Sequence, residues 1–125
     1  MDTAYPDIIT ILHQYFDGLY QSDTRILAQV FHPEAHYFCA TDGNLLHLDM
    51  QHYFPIVDQR PSPASRNETR RDRIVSIELA GPVTAFARVE CAIANKFFTD
   101  FLTLIKLDGK WQIVSKVFHF ELMDA

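Results

Sequence analysis

The last quarter of the chain carries a pattern that the rest must satisfy. Residues 97–107 and 110–120 are rich in β-branched and aromatic side chains, and Asp108-Gly109 separates them. That dipeptide favours a type I′ turn, so the two runs are predicted to pair antiparallel. With Asp108 and Gly109 as the loop, Lys106 faces Trp111, Leu104 faces Ile113, Leu102 faces Ser115, Asp100 faces Val117 and Phe98 faces His119. Side chains alternate at period two along a strand, so these pairs share one face, apolar near the turn and ending in an acid and an imidazole. The reverse face carries Phe101, Thr103 and Ile105 against Val114, Lys116 and Phe118. Both faces are semi-apolar, and a sheet of this kind needs two covers.

Upstream, two more strand-like runs, 69–79 and 83–93, are punctuated by Gly81-Pro82 and Asn95-Lys96. A two-residue loop at Asn95-Lys96 places Cys91 opposite Asp100 and Val89 opposite Leu102, which extends the apolar face across further strands. The first cover is predicted at the N-terminus. Ile8, Leu12, Tyr15, Phe16 and Leu19 recur at helical spacing over 7–21, with Pro6 tolerated in the first turn. Ser22 and Asp23 are candidate N-caps for a shorter helix carrying Ile26, Leu27, Val30 and Phe31, which His32-Pro33 terminates. Residues 35–40 alternate as a strand, 41–44 are turn-forming, and 45–48 return as a short partner. Residues 50–57 are predicted as a third helix despite Pro55. The Pro/Ser-rich stretch 59–67 reads as a loop.

A length of 125 residues suits one domain, 1–125, large enough to bury roughly two thirds of its unfolded surface. The aromatic content changes the picture: ten Phe, five Tyr and one Trp suggest a lined cavity, a dimer face, or both. The net charge is −5, and the densest basic stretch, 66–73, interrupts its four Arg with Glu68 and Asp72. Nucleic-acid binding is therefore not expected. No apolar run approaches the roughly 18 residues of a membrane span, and no basic region precedes an apolar run at the start. A soluble, cytoplasmic protein without membrane partners is the expectation. Cys39 and Cys91 are read as buried free thiols.

Helices, a short hairpin, a further helix and a long meander describe an α+β domain, with helices across one face of a curved antiparallel sheet that encloses a cone. On Phe31-His32-Pro33-Glu34-Ala35 and the segment from Leu104 through Asp108-Gly109 to Val114, the chain resembles the nuclear transport factor 2-like (SnoaL-like, cystatin-like) superfamily. That fold is shared by scytalone dehydratase, ketosteroid isomerase and polyketide cyclases. Tyr15-Phe16-Asp17-Gly18, Asp100-Phe101-Leu102 and Lys116-Val117-Phe118 make it most similar to the family named Putative lumazine-binding, over residues 5–121. The resemblance implies the fold more strongly than an activity.

Asp100 lies between Phe98 and Leu102 on the inward face, where an unpaired carboxylate is costly. It is either a catalytic or ligand-binding group or a satisfied structural acid. His119, on the same predicted face, is its candidate catalytic partner, and Tyr15 is the alternative. His32, Tyr37, Tyr53, Phe98, Leu102, Trp111 and Ser115 complete the candidate ligand-binding set. The histidines lack metal-ligand spacing, so neither a metal nor a cofactor is expected. Three functions remain open. The first is a homodimer binding a small apolar or aromatic molecule in the cone. The second is a cofactor-independent isomerase, dehydratase or cyclase using Asp100 with His119 or Tyr15. The third is a structural dimerisation domain whose cone is filled by its own rings.

Overall fold

The computed structural model describes residues 3–123, so the expected domain 1–125 extends past the described residues at each end. Its elements are α1 (Ala4–Gln21), α2 (Thr24–Val30), β1 (Phe31–Cys39), β2 (Leu46–Asp49), α3 (Met50–Gln59), β3 (Arg73–Leu79), β4 (Thr84–Ile93), β5 (Lys96–Leu107) and β6 (Lys110–Leu122). A short helical turn, Ala64–Arg66, lies in the Pro/Ser-rich connection.

The first helix buries the apolar stripe read from its sequence: Ile8, Leu12, Tyr15, Phe16 and Leu19. Ser22 ends it in the left-handed region, and the Asp23 N–H donates to the Gly18 carbonyl at 2.9 Å. Asp23 then caps α2, accepting the Arg25 N–H. Gly18 allows the two helices to meet closely, since a Cβ there would stand 2.6 Å from Leu27 Cδ2. Asp49 caps α3 by accepting the His52 N–H, and that helix buries Met50, Tyr53 and Val57 while tolerating Pro55.

The six strands form one open, curved sheet in the order β2-β1-β6-β5-β4-β3. All pairs are antiparallel except β1 with β6, which is parallel. The helices lie on the concave face, where Leu102, Leu104, Ala87, Val89 and Ile113 meet Ile8, Leu12, Leu27 and Val57 in one core. Asp108 and Gly109 both have positive φ, as a type I′ turn requires.

Two registers differ from those expected. The β4–β5 loop is Ala94-Asn95, with Ile93 paired to Lys96, so Asp100 faces Val89 and Cys91 faces Phe98. Ala94 takes a positive φ and its N–H is held by Glu68 Oε1 at 2.8 Å. This shift is two residues, so every side chain keeps its face. The second shift is one residue and does not. Leu104 pairs with Ile113, but Thr103 pairs with Ser115, which leaves Val114 as the extra residue of a β-bulge. Beyond it the parity of β6 inverts. Lys116 and Phe118 turn inward, opposite Leu102 and Asp100, while Ser115, Val117 and His119 turn away from the core.

Candidate functional site

The concave end of β5 and β6 gathers polar groups inside an aromatic shell. Asp100 is 0% exposed, and its Oδ2 accepts a 2.5 Å hydrogen bond from the Tyr15 hydroxyl on α1. Its other oxygen, Oδ1, has no partner among the described residues. Lys116, one strand away, is 5% exposed. Its Nζ stands 5.2 Å from the Tyr15 ring centroid, 5.3 Å from Tyr37, 5.5 Å from Tyr53 and 5.2 Å from Phe118. Four ring faces around one ammonium are a cation–π cage. The Tyr53 hydroxyl, contributed by α3, is buried and also lacks a partner.

Burial and neighbouring charges shift four groups in and around this cluster. Burial, foremost, and then Asp100 push the Tyr15 hydroxyl well above its usual pKa, so it remains a donor to the carboxylate. Burial pulls Lys116 down, but Tyr53, Asp100, Tyr37 and Cys91 together push it up more, and its amine stays charged. Burial likewise raises Tyr37, with Lys116 opposing, and raises the Cys91 thiol, with Asp100 adding to it. Both Tyr15 and Lys116 therefore favour their protons in the folded state, relative to ordinary values of 10.0 and 10.5. The unfolded chain then binds fewer protons than the folded one once pH passes those values, and stability falls. Urea midpoints are expected to be flat up to about pH 9 and to decline above about pH 10. A midpoint that climbs in that upper range would contradict the assignment.

The predicted site residues divide into three groups. Tyr15, Tyr53 and Asp100 come together, and Tyr37 and Phe98 form a rim beside them, joined by Phe118, which the sequence reading places on the reverse face; Tyr37 is 4.7 Å from both Tyr53 and Phe118, and Phe98 is 5.7 Å from Phe118. Leu102 and Trp111 are core residues on the same concave face, and the Trp111 indole N–H is unpartnered among the described residues. His32, Ser115 and His119 lie elsewhere. His32 accepts the Glu34 N–H at 3.0 Å and lines a cleft of about 250 Å³ with Phe31, Met50 and Phe54. Ser115 pairs with Thr103 on the outer side of the bulge. The His119 side chain is 59% exposed, with Nδ1 2.9 Å from Thr41 Oγ1 and Nε2 3.7 Å from Glu121. It does not share a face with Asp100, because the bulge sits between the turn that sets the register and the end of the strand.

Lys116 and Phe118 stand on the reverse face in the sequence pattern and on the concave face in the structure. The position of Lys116 between Ser115 and Val117 does not by itself choose a face. The larger clefts, of about 510 and 590 Å³, open on the outer surface around Asp23 and Arg25. Among the described residues no group of three or more His, Cys, Asp or Glu is placed to hold a metal ion, and no helix is long and apolar enough to cross a membrane.

A family model described as Putative lumazine-binding matches residues 5–119. The chain is 29% identical over 119 residues to a protein named aldolase FrzH from Cladobotryum sp, covering 94% of this chain and 91% of that one. An NTF2-like protein of unknown function from Shewanella baltica superposes with a TM-score of 0.85 at 30% identity, covering 95% of this chain and 94% of that one. One from Silicibacter pomeroyi gives a TM-score of 0.83 at 26% identity, covering 97% and 100%. A cystatin-like fold protein from Burkholderia xenovorans, at 15% identity and a TM-score of 0.71, covers 95% of this chain and 92% of its own and shares the fold.

Proposed function

The chain belongs to the Putative lumazine-binding family of NTF2-like proteins, and from that premise we propose that it binds a small, largely apolar carbonyl compound in its concave interior and moves a proton at the carbon beside the carbonyl. The observation that carries this reading is a pair of buried groups without partners among the described residues, Asp100 Oδ1 and the Tyr53 hydroxyl, beside the Lys116 ammonium in its aromatic cage. Buried polar atoms without partners are costly, and a ligand that pairs with them recovers that cost. An interior filled only for structural reasons has no use for them.

In the reaction, Asp100 Oδ1 takes a proton from the α-carbon, and the electron pair of that C–H bond moves into the carbonyl to give an enolate. Tyr15, bonded to Oδ2, fixes the carboxylate in position. The Lys116 ammonium and Tyr53 hydroxyl stabilise the enolate oxygen, where charge develops. The enolate then regains the proton from Asp100, or attacks a second carbonyl carbon to form a carbon–carbon bond while that C=O π pair becomes an alkoxide, which takes the proton from Asp100. The name of the 29% identical relative, an aldolase, supports enolate chemistry of the second kind. Entry is across the half-buried rim of Tyr37 and Phe98. Deuterium exchange at the α-carbon of phenylacetone and phenylpyruvate in heavy water, followed by proton NMR, tests the proposal. Acceleration over buffer is expected. Exchange at the buffer rate with both ketones would overturn the catalytic reading.

The reading includes a homodimer formed through the convex sheet face. Phe86, Phe101 and Val117 are exposed there, with Ile105 and Val114 beside them, an apolar patch on a single sheet. Val117 replaces Phe118, and Lys116 leaves the face, because of the bulge. Arg88 and Glu90 on the same face suit a two-fold arrangement in which opposite charges meet. Phe101→Asp is expected to convert a dimer to a monomer by light scattering at micromolar concentration. A wild type that is monomeric under those conditions sinks this part.

A further inference from the structure

On the convex side of the sheet, the hairpin of β1 and β2 brings together two histidines that stand 11 residues apart in the chain. His36 and Phe38 alternate along β1 with Ala35 and Cys39, which are buried, and so face outward. Phe38 lies opposite His47 in the antiparallel register, and Asp49 lies opposite His36, so all four side chains share that face. His36 Nδ1 is 2.7 Å from His47 Nε2, with the ring centroids 4.9 Å apart. The Phe38 ring stacks on His47 at 4.4 Å with only 8° between the planes, which fixes the imidazole in place. Asp49 is held through Oδ1 by the His52 N–H at 3.0 Å and by His52 Nδ1 at 2.6 Å, and it adds a carboxylate charge beside the pair.

Two ring nitrogens at that distance share one proton, and each is a metal ligand once that proton leaves. With metal–nitrogen bonds of about 2.0–2.1 Å, two imidazoles on one ion stand about 2.9 Å apart when they are cis in a square or octahedral sphere, and about 3.3 Å apart in a tetrahedral one. The observed 2.7 Å is nearer the first, the arrangement that suits copper(II) and nickel(II) with imidazole ligands. We propose that His36 and His47 form a chelating site for a divalent transition metal of this class, clamped across β1 and β2. Among the described residues no third His, Cys, Asp or Glu completes a ligand group, so solvent fills the remaining positions and the site is open. It lies on the opposite face from Asp100 and Lys116 and stands independently of the proton-transfer reading.

Calorimetric titration of nickel(II) into the untagged wild type, His36→Gln, His47→Gln and His13→Gln tests the site. One ion per chain is expected to bind the wild type. Either hairpin substitution should weaken binding at least about tenfold, the scale of one lost ligand, while His13→Gln, which changes an exposed histidine of α1, should leave it unchanged. Because the metal bridges two strands, nickel(II) should raise the melting temperature of the wild type and of His13→Gln but not of the two hairpin variants, whose melting curves without metal also show that they fold. Copper(II) is expected to bind more tightly than nickel(II), and its electron paramagnetic resonance spectrum should show coupling to two nitrogen nuclei. No saturable binding of either metal, an affinity that survives loss of His36 or of His47, an equal loss in His13→Gln, or a copper spectrum with a single coupled nitrogen would overturn the proposal.

Discussion

Asp100→Asn is expected to lower stability by about 3 kcal/mol, and adding Lys116→Met to the same chain is expected to restore most of the loss. Asparagine can still accept the Tyr15 hydroxyl, so the hydrogen bond seen at 2.5 Å need not be lost. What is lost is the carboxylate charge that acts on Lys116, the one buried lysine. An ammonium left in the ring cage without that charge either stays ionised at a cost or gives up its proton, and both weaken the fold. Lys116→Met alone strands the opposite charge on Asp100 and is expected to cost a similar amount. Methionine is close to lysine in length and suits an aromatic surrounding, so the double variant removes both charges without opening a cavity. Urea unfolding of the wild type, both single variants and the double variant gives the coupling directly. Losses that add to within about 0.5 kcal/mol would show that the two groups are independent, against the electrostatic unit described here.

The Tyr53→Phe variant should be more stable than the wild type, by about 1 kcal/mol, and slower in α-proton exchange by about a hundredfold. The stability gain follows from removing a buried hydroxyl that has no partner among the described residues. The ring itself remains, with its contacts to Tyr37 at 4.7 Å and Phe31 at 6.1 Å. The loss of rate follows if that hydroxyl donates to the enolate oxygen, since one such donor typically supplies a factor of about 100 to 1,000. A structural role predicts the reverse: lower stability on losing the hydroxyl, with exchange unaffected. A variant that gains stability and loses activity together places Tyr53 in the reaction, because the wild type then carries an unsatisfied group that only the substrate satisfies.

Much of this architecture could be read from the chain because its causes are local. The helical recurrence of Ile8, Leu12, Tyr15, Phe16 and Leu19, the cap at Asp23 and the type I′ turn at Asp108-Gly109 all act within a few residues, and each appears where its chemistry predicts. The inward placement of Asp100 survived even a wrong β4–β5 register, because a two-residue shift leaves the face of every side chain unchanged. The far half of β6 was decided otherwise. The bulge at Val114 has no glycine or turn signature to announce it, and it arises where β6 must pair with β5 on one side and run parallel to β1 on the other. One extra residue exchanged His119 for Lys116 on the concave face, and with it a solvated imidazole for a caged ammonium. Periodicity determined which residues could face inward; the curvature and pairing of the open sheet decided which of them do.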